Sequence, residues 1–150
     1  MLKKRVLENP QILGWLGILP FIFTSFFVLF EIRFSLELKV LGLLYASSIL
    51  GFLGAVYWGY LLKSKAHEHI LWAWGIATSL LAWISLTVIF LFNNYLLASL
   101  ILSVGFIISL IVDYKNFSSY SWYINLRLKL TCVATPVSYT HLTLPTKRIV

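Results

Sequence analysis

Charge is scarce in this sequence. Of its 150 residues only 11% are Asp, Glu, Lys or Arg, while 60% are hydrophobic and the mean hydropathy is +0.89. Soluble domains carry about a quarter charged residues, so a water-facing surface is excluded for most of the chain. Cysteine is almost absent. Cys132 stands alone, which excludes an internal disulfide and any Cys-x-x-Cys metal or redox motif. No Ser-His-Asp arrangement converges, no glycine-rich phosphate loop follows a strand, and no zinc-protease helix motif occurs. Ionisable residues are missing from the middles of the apolar runs, where proton relays and ion sites of pumps would place them. The expectation is a protein that is not an enzyme, with no catalytic, cofactor-binding or metal residues and no cofactor. The net charge of +7 does not point to nucleic acid, because the Lys and Arg sit in short clusters between apolar runs and not in a basic stripe.

What is present is long apolar sequence. Four stretches, 11–30, 40–62, 70–92 and 95–112, meet the length of about 20 mainly apolar residues that a helix needs to cross a hydrocarbon core. The fold class expected is all-α, a polytopic transmembrane helix bundle. Pro10 suits a first helical turn. Pro20 falls inside the first helix, frees the carbonyl four residues earlier and predicts a kink. Thr24 and Ser25, one turn on, are hydroxyls available to the disturbed backbone. Asn93 and Asn94 alone separate the third and fourth helices, which predicts a tight hairpin. A fifth span starts at about Leu126 and stops short of crossing length.

Positive charge in the short connections gives orientation. Lys3, Lys4 and Arg5, then Lys63 and Lys65, then Lys115, Arg127 and Lys129 fall on one side. The other side has Arg33 and Lys39 offset by Glu31 and Glu37. The N-terminus, residues 1–10, is therefore expected in the cytoplasm, with the chain multi-pass in a bacterial cytoplasmic membrane. Trp15, Trp58, Trp72, Trp74 and Trp122, with Tyr57, Tyr60 and Tyr123, cluster at the same predicted ends, where amphipathic rings prefer the headgroup level. A cleaved signal peptide is the competing reading of the N-terminus. The run is too long for one, carries Pro20 and lacks a small-residue cleavage pattern.

Within GFLGAVYWGY, residues 51–60, small residues recur every four positions. Ser47, Gly51, Ala55 and Gly59 lie on nearly one helix face, and such a groove lets helices in lipid approach closely. This seam is expected to pack against Gly75 and Ser79 on the third helix or Ser99 and Ser103 on the fourth. Gly54 and Trp58 are the candidates for a cavity or a homodimer face. Thr78, Ser79, Ser85 and Thr87 are expected to bond backbone carbonyls or neighbouring helices. KSKAHEH at 63–69 offers His67, Glu68 and His69, too few convergent ligands for a metal, and reads as a solvated turn able to attract anionic lipid headgroups.

LGWLGILPF at 13–21, SILGFLGAVYWGY at 48–60, Asp113, and WYINLRLKLT at 122–131 together resemble a domain-of-unknown-function family of small polytopic inner-membrane proteins. The family is proteobacterial, with a mitochondrial transmembrane relative. The resemblance covers roughly residues 11–131 and implies a five-helix bundle whose last helix follows the WYINLRLKLT segment. It implies no activity and no site residues. The sequence departs from that pattern after residue 135. Residues 137–146, VSYTHLTLPT, resemble translated sequencing-adapter read-through, so the expectation is a transmembrane domain at 11–135, a truncated fifth helix and an artefactual tail at 136–150. No role is assigned to His141, Lys147 or Arg148. The functional expectation is a structural or assembly partner in the membrane, bound to the lipid bilayer and to another membrane protein or to itself. The alternative is a small transporter or a lipid- or small-molecule-binding protein.

Overall fold

The computed structural model describes residues 10–29, 35–64 and 69–143, with side chains placed for 11–27, 37–64 and 69–132. Among the described residues the chain is helical, without strands. Six segments follow in order: α1 (Pro10–Leu16), α2 (Leu19–Leu29), α3 (Ser35–Ser64), α4 (His69–Phe92), α5 (Tyr95–Phe117) and α6 (Ser121–Thr143). α1 and α2 are two halves of one broken helix, so the bundle has five rods. Three helices are long and apolar enough to cross a membrane, over Glu37–Ser64, His69–Phe92 and Tyr95–Phe117.

The first rod, expected over 11–30 with a kink at Pro20, is helical to Leu29 and broken into two segments; its described apolar part is Gln11–Phe27, and residue 30 lies outside the described residues. The break falls at Gly17 and Ile18, where the expected disturbance upstream of Pro20 appears as a tightened turn. The Gly17 N–H is shared between the Leu13 and Gly14 carbonyls at 3.3 and 3.1 Å, and Ile18 bonds the Trp15 carbonyl at 3.0 Å. The Tyr45 hydroxyl of α3 donates to the Gly17 carbonyl at 2.8 Å, so a neighbouring helix satisfies backbone at the break. Thr24 and Ser25 instead bond back along their own helix, to Pro20 at 2.9 Å and Phe21 at 2.7 Å.

α3 is the centre of the bundle, packed against α2, α4, α5 and α6. Leu43, Ala46, Leu50 and Leu53 are buried on it and meet Phe21 of α2, Ala82, Val88 and Ile89 of α4, and Ala98, Leu102 and Phe106 of α5. Outward-facing positions stay apolar: Phe52, Trp83, Phe90 and Leu91 are all more than 60% exposed. A continuous exposed apolar surface of this kind fits lipid and not water.

The α4–α5 hairpin is set by both asparagines. Asn93 adopts φ of 50°, a left-handed conformation that asparagine tolerates better than most residues, and its N–H bonds the Ile89 carbonyl at 3.0 Å to close α4. Asn94 caps α5, its side chain accepting from the Leu97 N–H at 3.0 Å. Ser85 then joins the two helices by donating to the Ala98 carbonyl at 3.1 Å. Thr78 and Thr87 bond carbonyls of their own helix.

The other boundaries shift outward from the sequence expectation. α5 continues past residue 112 to Phe117, and α6 begins at Ser121 and not near 126. Apolarity stops at Asp113, but helical backbone does not, because Asp113 finds its partner on the next helix. α6 runs on through Thr143 into the stretch expected to be tail.

Candidate functional site

Asp113 and Arg127 flank the turn between α5 and α6 symmetrically, each seven positions from Tyr120. Two turns of helix on either side of a tight connection bring such positions face to face. The Arg127 Nε donates to Asp113 Oδ2 at 2.6 Å. From α3, the Tyr57 hydroxyl donates to Asp113 Oδ1 at 2.7 Å and approaches the Ser109 carbonyl at 3.2 Å. Both carboxylate oxygens are thus engaged. The residues are 1%, 5% and 1% exposed for Asp113, Arg127 and Tyr57. The network therefore ties α3, α5 and α6 at one end of the bundle.

Aromatic rings close over it. Phe117 stacks on Tyr57 with centroids 5.9 Å apart and meets the edges of Tyr60 and Tyr123 at 4.9 and 5.7 Å. Leu61, Leu71 and Phe117 are buried with Tyr57. Tyr123 lies in the first turn of α6, outside the three spans. Burial, reinforced by the Asp113 carboxylate, pushes its phenol up to about 12.

Arg127 also borders a cavity of about 250 Å³ between the broken first rod, α3, α5 and α6. Its walls are almost wholly apolar, including Gly17, Ile18, Leu53, Val56, Phe106 and Leu130; Tyr123, Arg127 and Thr131 supply the polar groups. Leu13 and Phe52, 44% and 66% exposed, place its opening on the outer face. The Arg127 Nη2 is buried and makes no hydrogen bond among the described residues. A second, wetter cavity of about 550 Å³ shares Val56 and Tyr123 with the first and reaches Gly59, Tyr60, Lys63 and Ser64.

The sequence-predicted residues fall around these features unevenly. Ser47 is buried in the bundle, Gly51 faces Ser79 Oγ, and Ala55 and Gly59 are exposed. Nothing lies within 4 Å of where a Gly59 Cβ would sit. The closest helix approach is one position round from the seam. A Cβ on Gly54 would collide with the Gly75 carbonyl and Thr78 Oγ1, and a Cβ on Gly75 would meet the Trp58 ring and come within 3.0 Å of the Gly54 carbonyl. Gly54 and Trp58 therefore sit in the α3–α4 contact; Trp58 also packs edge-on against Trp72 at 4.9 Å. Ser99 is buried and bonds the Leu96 carbonyl, while Ser103 is half-buried. Residues 65–68, with His67 and Glu68, lie outside the described residues, as do Lys3, Lys4 and Arg5. Among the described residues no three His, Cys, Asp or Glu side chains converge.

The sequence placed Asp113 just past the fourth span and counted Arg127 among the basic residues that follow it; the structure buries both and pairs them. The signal available beforehand was two opposite charges equidistant from a turn, with a tyrosine near the end of a neighbouring apolar helix. Both carboxylate oxygens are occupied, so the arrangement sets a closed, paired charge network in the wall of an apolar cavity. Among curated proteins and among solved structures nothing matches the chain. The model of one family, described as "Protein of unknown function (DUF3429)", matches residues 6–143, and a match over that much of the sequence makes the chain a member of the DUF3429 family.

Proposed function

We propose that this protein is a non-enzymatic, multi-pass protein of the bacterial cytoplasmic membrane, N-terminus inside, that holds an amphiphilic molecule drawn from the bilayer. The observation that carries this reading is the apolar cavity with a buried guanidinium in its wall. Ligand sites combine apolar walls with a few placed polar groups, and ionisable residues at membrane depth mark functional sites. The positive charge of Lys63, Lys115 and Lys129 and the rings of Trp58, Trp72 and Trp122 at this end support its cytoplasmic placement.

Retention of lipid through purification tests the reading. Native mass spectrometry of the protein in mild detergent should show a bound lipid that is lost in Val56→Phe, which fills the cavity. Equal retention by both proteins would refute it. Orientation is tested apart from binding: a reporter fused at Asn94 should be inaccessible from the cytoplasm, and a cytoplasmic reporter would overturn the topology.

A second reading, an assembly partner for another membrane protein or for a second copy, rests on Ala55 and Gly59. These two small residues face outward on α3 with no neighbour over Gly59. Co-purification from a membrane extract should then depend on Gly59→Leu; a partner retained equally by that variant would count against it.

A further inference from the structure

The two cavities follow one another along a single face of α3. Ile49, Leu53 and Val56 line the apolar cavity, and Val56, Gly59 and Lys63 line the wetter one. These positions are three or four apart and so share a helix face. Val56 and Tyr123 belong to both linings, which makes the two spaces adjoin in the gap between α3 and α6. Ile49 lies near the middle of the Glu37–Ser64 span, and Lys63 stands in the last turn of α3. They are 14 positions apart, roughly 21 Å at 1.5 Å per residue. Tyr60 and Trp122 line the Lys63 end, and such rings prefer the headgroup level. The groove therefore runs from the interface toward the membrane's middle, apolar at its deep end and polar at its outer end, as a lipid does.

Charge selects the head. Among the described residues neither lining contains Asp or Glu. Arg127 is already paired with Asp113, which leaves Lys63, exposed in the wetter cavity, as the uncompensated charge. A cationic head would meet Lys63 with no carboxylate to receive it, whereas an anionic one finds its counter-charge there. Tyr60, Tyr120 and Trp122 of the same lining carry O–H or N–H groups able to donate to phosphate oxygens. Size separates a phospholipid from a fatty acid. The wetter cavity, about 550 Å³, exceeds the apolar one, about 250 Å³, and a bare carboxylate would leave most of it empty. Building on the binding role above, we propose that the groove holds an anionic phospholipid, its phosphate at Lys63 and one acyl chain in the apolar cavity, while the other chain stays in the surrounding bilayer.

The test uses delipidated full-length chain in detergent, titrated separately with phosphatidylglycerol, with phosphatidylcholine of the same chains and with free oleate, and read by native mass spectrometry. Wild type should hold phosphatidylglycerol about fivefold more tightly than phosphatidylcholine, the factor that one interfacial lysine contributes. Lys63→Gln should lose that preference. Lys115→Gln removes an exposed cation that lines neither cavity and should keep it. Val56→Phe, placed where the cavities adjoin, should weaken both phospholipids. Equal binding of the two by wild type, or tighter binding of phosphatidylcholine, overturns the headgroup assignment and leaves the cavity reading standing. A preference lost equally in Lys63→Gln and Lys115→Gln shows diffuse surface attraction and overturns it too. Oleate held more tightly than phosphatidylglycerol would show a fatty-acid site and overturn the phospholipid. Binding of none of the three, or binding insensitive to Val56→Phe, overturns the cavity reading itself.

Discussion

Replacing Asp113 by asparagine isolates what its charge does. Asn keeps the shape of the side chain and an oxygen that can accept from the Tyr57 hydroxyl, so the hydrogen bond now 2.7 Å long has a substitute. The negative charge has none. Arg127, 5% exposed, would hold a full positive charge against an apolar wall. Breaking a buried ion pair by removing one partner costs about 3–5 kcal/mol, whereas loss of one ordinary hydrogen bond costs about 1 kcal/mol. The size of the effect therefore identifies what was lost. Unfolding in a mild detergent at fixed detergent-to-protein ratio, followed by far-ultraviolet circular dichroism, should show Asp113→Asn destabilised within the larger range. The double variant Asp113→Asn with Arg127→Met removes both charges and should recover about 2 kcal/mol or more of that loss. A single variant within about 1 kcal/mol of wild type, or a double variant whose losses simply add, would show that water reaches the carboxylate and would refute the argument.

Tyr57→Phe removes only a hydroxyl that donates to a carboxylate, and should cost about 1.5–3 kcal/mol in the same unfolding assay; no measurable change would remove Tyr57 from the network. Gly54→Leu should loosen the α3–α4 contact and lower the unfolding midpoint sharply, because its Cβ meets backbone at Gly75. Gly59→Ala, with open space around it, should be neutral or stabilise by up to about 1 kcal/mol; equal losses at both glycines would contradict the packing. Asn93→Ala should cost about 1 kcal/mol from its φ of 50°, and Asn93→Gly should restore it. Burial pushes the Tyr123 phenol up to about 12 in the folded protein, above the ordinary tyrosine value of about 10. Its contribution is complete below pH 10 and declines as pH rises toward 12, so Tyr123→Phe should flatten that part of a stability–pH profile.

The hairpin at Asn93 was legible because local chemistry decides it: a left-handed residue followed by a capping side chain reads the same in any tertiary setting. The apolar helices were legible for the same reason, length and composition being sufficient. The first rod was only half legible. Pro20 announced a disturbance, but the Tyr45 hydroxyl that donates to the Gly17 carbonyl lies 28 positions away, beyond any local pattern. The pairing of Asp113 with Arg127 was not legible. Hydropathy treats each charge as a cost to be paid in water, and it ended the fourth span before Asp113. A charge matched across a helical turn carries no such cost, and matching is a property of two helices together. The seam counted by fours was likewise a property of one helix. Where α3 touches its neighbour most closely is fixed also by Gly75 and Trp58, which moves the contact to Gly54.

Stability does not account for the buried pair. Apolar residues of similar volume often hold helices together as well as or better than a buried salt bridge does, and this bundle has leucine, isoleucine and phenylalanine throughout its core. Position argues for another role. The pair lies where the broken first rod, α3, α5 and α6 leave a cavity unfilled, and Gly14 and Gly17 of the broken rod line that cavity too. A Cβ on Gly14 would press on Leu126, next to Arg127, so the small residues of the first rod let it lie close against α6 beside the guanidinium. Asp113 and Tyr57 hold Arg127 through Nε and the opposite carboxylate oxygen, which fixes the guanidinium plane while leaving Nη2 unbonded. Such an arrangement fixes the guanidinium beside the cavity, where cohesion alone would have been served by apolar side chains.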